Sequence, residues 1–215
     1  MTAVRSPLAG GDLATPSQTG ASGNLLLPVL PLKDLCLFPE ASLAMVVTAP
    51  GALRALEMAA RTGARVLALA QHENATSPRD LHEMGTVARV ADDALLPDGG
   101  RRVELDGASR ARAVSVIGSE VLVAEVTLMD EGDAGDDWGS AVEALARYLH
   151  AHAELRSFLD QQRRSPEPMA WVNLACQHLP ITATARQRLL ESAAPQRCLK
   201  ISRGLDALLR KEQAT

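Results

Sequence analysis

Aromatic side chains are scarce: Phe38, Trp138, Tyr148, Phe158 and Trp171 are the five present in 215 residues. That is too few for the stacking platforms on which single-stranded nucleic acids are held. A net charge of −4 and a pI near 5.7 also leave no general attraction for a polyanion. Both features argue against nucleic acid as a partner. No hydrophobic run is long enough to span a bilayer, and the first 24 residues, rich in Gly, Ser, Thr, Pro and Ala, hold no continuous apolar stretch of the secretory type. The expectation is a cytoplasmic chain without membrane attachment, with residues 1–24 as a disordered tail. Lysine is rarer than the aromatics, at Lys33, Lys200 and Lys211 only, and the excess of Arg with abundant Ala suits a GC-rich bacterial genome.

Cysteine is also sparse. Cys36, Cys176 and Cys198 are odd in number, widely spaced and set in apolar surroundings. They read as small buried hydrophobes in a reducing compartment rather than as a disulfide framework. No Cys-x-x-Cys or His-Glu-x-x-His spacing occurs. The pairs His150/His152 and Cys176/His178 stand two residues apart, which on a helix sends the side chains in divergent directions, away from any shared tetrahedral ion. No metal or other cofactor is expected.

What the chain does contain divides into two patterns. From residue 25 to 130 the apolar runs are short and broken by Gly, Pro and Asp, as in strands. Strands are predicted at 25–31, 43–48, 65–70, 85–91, 101–105, 111–117 and 121–128. The first is expected at a sheet edge, because Pro28 and Pro31 cannot donate to a ladder. One helix interrupts them over 50–61, opened by Pro50 and closed near Gly63. Leu-Pro-Asp-Gly-Gly at 96–100 reads as a hairpin turn. Residues 130–137 then carry five acids, two glycines and no large apolar side chain. They read as an acidic linker, 131–137, whose last Asp residues cap the next helix, since the ligand spacing of a calcium loop is missing.

Beyond the linker the apolar period becomes helical. Helices are predicted over 138–162, then from Ser165-Pro166 to Leu179 with Trp171, Leu174, Ala175 and His178 on one face. A third runs from a Thr182 cap to about 194, and a fourth is opened by Pro195. The expected fold class is α+β, with a mostly antiparallel sheet or small barrel over 25–130 and a helical bundle over 138–212.

Two groups invite a functional reading. Leu35, Leu37, Phe38 and Pro39 form a concentrated apolar loop in a chain poor in aromatics. Exposed, it would touch unfolded polypeptide segments; turned inward, Phe38 would plug the barrel end. Arg110 and Arg112 suggest a phosphate contact, or more plainly an ion pair of one of them with Asp106 or Glu104.

Several segments in order carry a family resemblance: Leu27-Pro28-Val29-Leu30-Pro31-Leu32-Lys33-Asp34, Phe38-Pro39, Arg65 to Gln71, Glu83-Met84-Gly85-Thr86-Val87-Ala88, Leu105-Asp106-Gly107 with Arg110 and Arg112, Leu179-Pro180, Gln187 to Glu191, and Arg197-Cys198-Leu199. Over about 26–209 the chain resembles the amino-terminal, substrate-recognition domain of the Lon protease family. It departs from that pattern at Glu40, where Gly is usual, and at Ala44, where Pro is common. The resemblance implies a pseudouridine-synthase-and-archaeosine-transglycosylase-like (PUA-like) β-barrel subdomain followed by a C-terminal helical bundle. It also implies a standalone, non-catalytic binding module for unfolded or tagged polypeptides or a protease partner, with RNA binding by the same barrel type as the alternative. The phosphate loop of the family's ATPase is missing, and no lysine lies in a context resembling its Ser–Lys protease pair. Nothing in the sequence speaks to the oligomeric state.

Overall fold

The computed structural model describes residues 25–132, 137–163 and 165–213. Six strands form, β1 (Leu25–Leu32), β2 (Ser42–Val47), β3 (Arg65–Ala70), β4 (Met84–Leu95), β5 (Arg101–Ile117) and β6 (Val123–Leu128), with helix α1 (Pro50–Arg61) between β2 and β3. Hydrogen bonding follows the order β2-β5-β4-β3-β1-β6, and β6 pairs back onto β5. Five strands therefore close into a ring, with β2 outside it. All pairings are antiparallel except β1 with β3.

Closure depends on β5 being long enough for one of its edges to serve two partners, residues 101–106 pairing with β2 and residues 111–117 with β6. The pattern predicted two strands here, and they are one. Gly107, at the midpoint, lies so close to the Phe38 carbonyl that a Cβ would collide with it. The expected hairpin turn is present: the Leu96 amide donates to the Gly100 carbonyl at 2.8 Å and Gly99 takes a φ of 83°.

β1 is not the edge strand that its prolines suggest. It lies between β3 and β6, but its first half (residues 25–28) pairs only with β6 and its second half (29–32) only with β3. Leu32 accepts from the Gln71 amide on the β3 side, while Val29 donates to the Leu122 carbonyl on the other. By alternation the Pro31 nitrogen points away from β3, past the end of β6, and the Pro28 nitrogen points toward β3 before that ladder begins. Each proline thus faces a side where no donor is needed. β3 itself is covered on both faces, as its unbroken Val-Leu-Ala-Leu-Ala run requires. Val66 and Ala68 meet Leu56 and Ala59 of α1, and Leu67 and Leu69 meet the cluster of β6 and the second half of β5.

The C-terminal part consists of α2 (Asp137–Ala151), α3 (Ala153–Gln162), α4 (Pro168–His178), α5 (Ala183–Leu190) and α6 (Ala194–Gln213). The single helix expected over 138–162 is broken at His152, whose ring stacks on Tyr148 at 4.0 Å with Nδ1 2.8 Å from the Tyr148 carbonyl. The opening of α4 also shifts: Pro168 rather than Pro166 begins it, and the Ser165 hydroxyl accepts from the Glu167 amide at 3.2 Å. Thr182 caps α5 as expected, accepting from the Ala185 amide. α4 has more than the one predicted buried face. Val172 to Gln177 are all buried, which makes it the central helix of the bundle. Asp136, expected among the caps of α2, and residues 133–135 of the expected linker lie outside the described residues.

All three cysteines are buried, and none is in a disulfide. Burial pushes the thiols of Cys36 and Cys176 up to about 12, so both stay protonated and unreactive at neutral pH. A chromogenic thiol reagent at pH 8 should therefore label the native protein slowly and all three positions promptly in guanidinium. Rapid labelling of the native state would contradict this burial.

Candidate functional site

The loop Leu35, Leu37, Phe38, Pro39 is turned inward. Phe38 is 0% and Leu37 1% exposed, Pro39 is buried, and Leu35 keeps only partial access. This corrects the exposed-loop expectation, and the physical reason is the joint between the two units. Each unit alone has an apolar end, and the loop between β1 and β2 is what lies between those ends. Phe38 joins the apolar cluster of the helices, whereas Leu37 joins that of the barrel and α1. The backbone is held from both sides: the Phe38 amide donates to Gln177 Oε1 of α4 at 3.0 Å, and the Leu37 carbonyl accepts from Thr86 Oγ1 of β4 at 2.6 Å. Glu40 closes the turn with a φ of 62°, in the left-handed region that glycine occupies at lower cost.

A second set of contacts crosses the same joint. Arg110 Nε donates to Glu131 Oε1 at 3.0 Å, and its other nitrogens donate to the carbonyls of Leu190, Ser192 and Asp130 at 2.8–3.1 Å. Arg197 Nη2 donates to Glu131 Oε2 and to the Ser192 carbonyl, both at 2.9 Å. Its Nε reaches the Leu189 carbonyl, its Nη1 reaches Asn173 Oδ1, and its guanidinium stands 5.8 Å over the Phe38 ring. Both arginine side chains are at most 2% exposed, and one carboxylate bridges them. Burial lowers the Arg110 pKa from its ordinary value; Glu131 opposes that shift and Arg197 adds to it.

The partner of Arg110 is thus Glu131, not Asp106 or Glu104 as the strand pattern suggests. Asp106 instead accepts from Arg89 at 2.6 Å and from the Ser42 hydroxyl at 2.8 Å, and Arg112 is exposed. Glu131 was read as linker. It is anchored further through its carbonyl, which accepts from the Ala194 amide at 2.8 Å. Gln187 completes the joint, donating to the Met84 carbonyl at 2.9 Å. Every guanidinium nitrogen of Arg110 and Arg197 is engaged, and these contacts bind the units to each other.

The histidine and cysteine pairs are dispersed. His152 Nε2 lies 3.4 Å from Glu212, while His178 packs edge-on against Phe158 at 4.8 Å. Among the described residues no group of three His, Cys, Asp or Glu side chains is placed to hold a metal ion, and no helix is long and apolar enough to cross a membrane.

A cleft of about 1050 Å³ opens on the barrel. Its walls are the outer edge of β2 and the second half of β1, which face each other where β6 has ended. The N-terminus of α1 and the turn at 119–122 close one end, Gly51 lying tight against the Glu120 carbonyl. The lining is mainly apolar, with Pro31, Leu35, Met45 and Val46 prominent, and Val46 is 56% exposed. Its charged groups are three cations, Lys33, Arg54 and Arg79, and one acid, Glu120, which pairs with Arg54 at 2.6 Å. Arg79 donates to the Gly118 carbonyl. Of the loop singled out in the sequence, only Leu35 reaches this cleft. Its other walls come from β1, β2, the start of α1 and the loops at 77–79 and 119–122, which carry no distinguishing motif in the sequence.

Comparison with known proteins gives a consistent result. The model of the ATP-dependent protease La (LON) substrate-binding domain matches residues 26–205. A Lon protease of Xanthomonas oryzae pv. oryzae is 32% identical over 180 residues, covering 77% of this chain and 21% of that protein. One of Brevibacillus choshinensis is 31% identical over 194 residues, covering 84% of this chain and 24% of that protein. The chain therefore spans a quarter or less of the length of these relatives. In fold it is similar to the N-terminal domain of a Mycobacterium avium complex Lon protease, with a TM-score of 0.69 at 19% identity over 85% of this chain and 98% of that one. It is likewise similar to a Lon N-terminal domain protein from Xanthomonas campestris, with a TM-score of 0.59 at 20% identity over 82% of this chain and 95% of that one.

Proposed function

The chain belongs to the LON substrate-binding domain family, and from that premise we propose that it is a non-catalytic module of the bacterial cytoplasm that engages unfolded or tagged polypeptides, or a protease partner. The observation that carries this reading is the cleft between β1 and β2, a concave and mainly apolar surface on the barrel. At about 1050 Å³ it has room for several residues of a polypeptide. The lining holds no histidine beside its hydroxyls Thr48, Ser77 and Ser119, and its one carboxylate, Glu120, is paired with Arg54.

Fluorescence anisotropy with a labelled, permanently unfolded polypeptide should show saturable binding. The native form of the same polypeptide and an RNA oligonucleotide should not bind. Binding of the RNA without binding of the unfolded chain would replace this reading with the nucleic-acid one. The purified protein should also hydrolyse neither ATP nor casein, because its sequence has no phosphate loop and no lysine in a context resembling the family's Ser–Lys pair, and Ser192, to which Lys200 donates at 2.6 Å, is buried. Activity that survives purification to homogeneity would overturn the non-catalytic part.

A further inference from the structure

The open side of β2 is an unpaired strand edge. Among the described residues β2 pairs with β5 alone. Its phase follows from the bonds at its start, where the Gly107 amide donates to the Ala41 carbonyl at 2.9 Å. Continuing the alternation in this register, Leu43, Met45 and Val47 turn their amides to β5, and Ala44 and Val46 turn theirs to the cleft. Both of these outward-facing residues are exposed. Across the cleft, β1 does not close the gap, because Pro31 has no N–H to offer on that side. The ring is thus left one strand short at this end, with apolar walls and backbone donors and acceptors waiting on β2.

We propose that the occupant of the cleft is an extended strand of an unfolded polypeptide, added through its backbone to the free edge of β2. Alternate apolar side chains of that strand lie against Pro31, Leu35 and Met45, and an acidic side chain lies among Lys33, Arg54 and Arg79. This rests on the reading of the chain as a polypeptide-binding module and specifies how that module recognises its substrate. Backbone pairing supplies affinity without demanding a sequence, and the alternate pockets select apolar residues. The acidic preference follows from the charge of the lining, three cations against one carboxylate that already pairs with Arg54. Such a mode discriminates folded from unfolded protein directly. A folded chain has already used its backbone donors, and only an unfolded one presents a free strand.

The test uses the full chain and a labelled, unstructured peptide of alternating Val and Ser that ends in Asp. N-methylation of every second peptide amide, in the two possible phases, removes donors from alternate sides of the strand. One phase should weaken binding about tenfold or more, the equivalent of one or two lost hydrogen bonds, and the other should weaken it less. Ala44→Pro should weaken the unmodified peptide similarly while the protein stays folded, because that N–H lies outside the β5 ladder. Exchange of the terminal Asp for Lys should weaken binding as well. Equal tolerance of both methylation phases would overturn strand addition and leave polypeptide binding intact. Failure of every unfolded polypeptide to bind would remove the functional reading and this inference together. Concentration-dependent dimerisation that Ala44→Pro abolishes, with no peptide binding, would overturn the proposal in favour of a second copy of this chain as the occupant.

Discussion

Arg197→Ala should lower the unfolding free energy by about 3–5 kcal/mol, the range seen when one member of a buried ion pair is removed. The side chain is fully buried, donates to four acceptors, the Glu131 carboxylate, the Leu189 and Ser192 carbonyls and the Asn173 amide oxygen, and stands 5.8 Å over the Phe38 ring. Truncation leaves a cavity at the joint, strips the buried Asn173 amide oxygen of this donor and leaves Glu131 paired with Arg110. A domain of this kind commands roughly 5–15 kcal/mol in total, so the loss removes a large part of it. Arg197→Lys should recover little, because a single ammonium cannot replace a planar fork that reaches several acceptors at once. Arg110→Ala should be costly too, and the double mutant should cost less than the sum, since both act through Glu131. Urea midpoints at constant slope measure all three. A loss below about 1 kcal/mol for Arg197→Ala would place the cluster among weak surface pairs and refute its role in holding the joint.

Phe38→Ala should also cost about 3–5 kcal/mol, through lost burial and the cavity left behind. Its ring is 0% exposed and packs in the helical cluster from a loop that belongs in sequence to the barrel. The mutation therefore loosens the contact between units rather than the interior of either. Affinity for an unfolded polypeptide, expressed per folded molecule, should stay unchanged. The cleft is lined by Leu35 but not by Phe38. Equilibrium unfolding and anisotropy on one variant separate the two effects. An affinity loss with unaltered stability would show that the ring reaches solvent and substrate after all.

Local signals in the sequence located most of the elements, though they split β5 in two and joined α2 and α3 into one. The limits of α1 (Pro50–Arg61) and β3 (Arg65–Ala70) agree with the predicted 50–61 and 65–70, because Pro50 presets the first helical turn and Gly63 takes the positive φ of 95° that follows the helix. The switch from strand to helix period divided the chain into a sheet unit and a helical unit, and the ordered segments from Leu27 to Leu199 carried the family. Where local signals competed, boundaries moved: Pro166 and Pro168 both suit a helix start, and the side chain of His152 interrupts a pattern that periodicity alone would continue.

Only the tertiary structure decided which apolar residues are covered and which charges meet. Phe38 is held by Gln177, 139 positions away, and Arg110 by carbonyls 80 and 82 positions away. No local rule links such distant residues. Glu131 sits in an acidic run that reads as solvated, yet bridges two buried guanidiniums because the chain happens to pass between the units at that point. The prolines of β1 suggested an edge, and they do mark missing donors. The closing of the ring by a long β5 placed those missing donors inside the barrel wall, opposite the free edge of β2. Periodicity fixes which face of a strand is apolar. Whether that face is buried, and whether an edge is paired, depends on surfaces contributed by the rest of the chain.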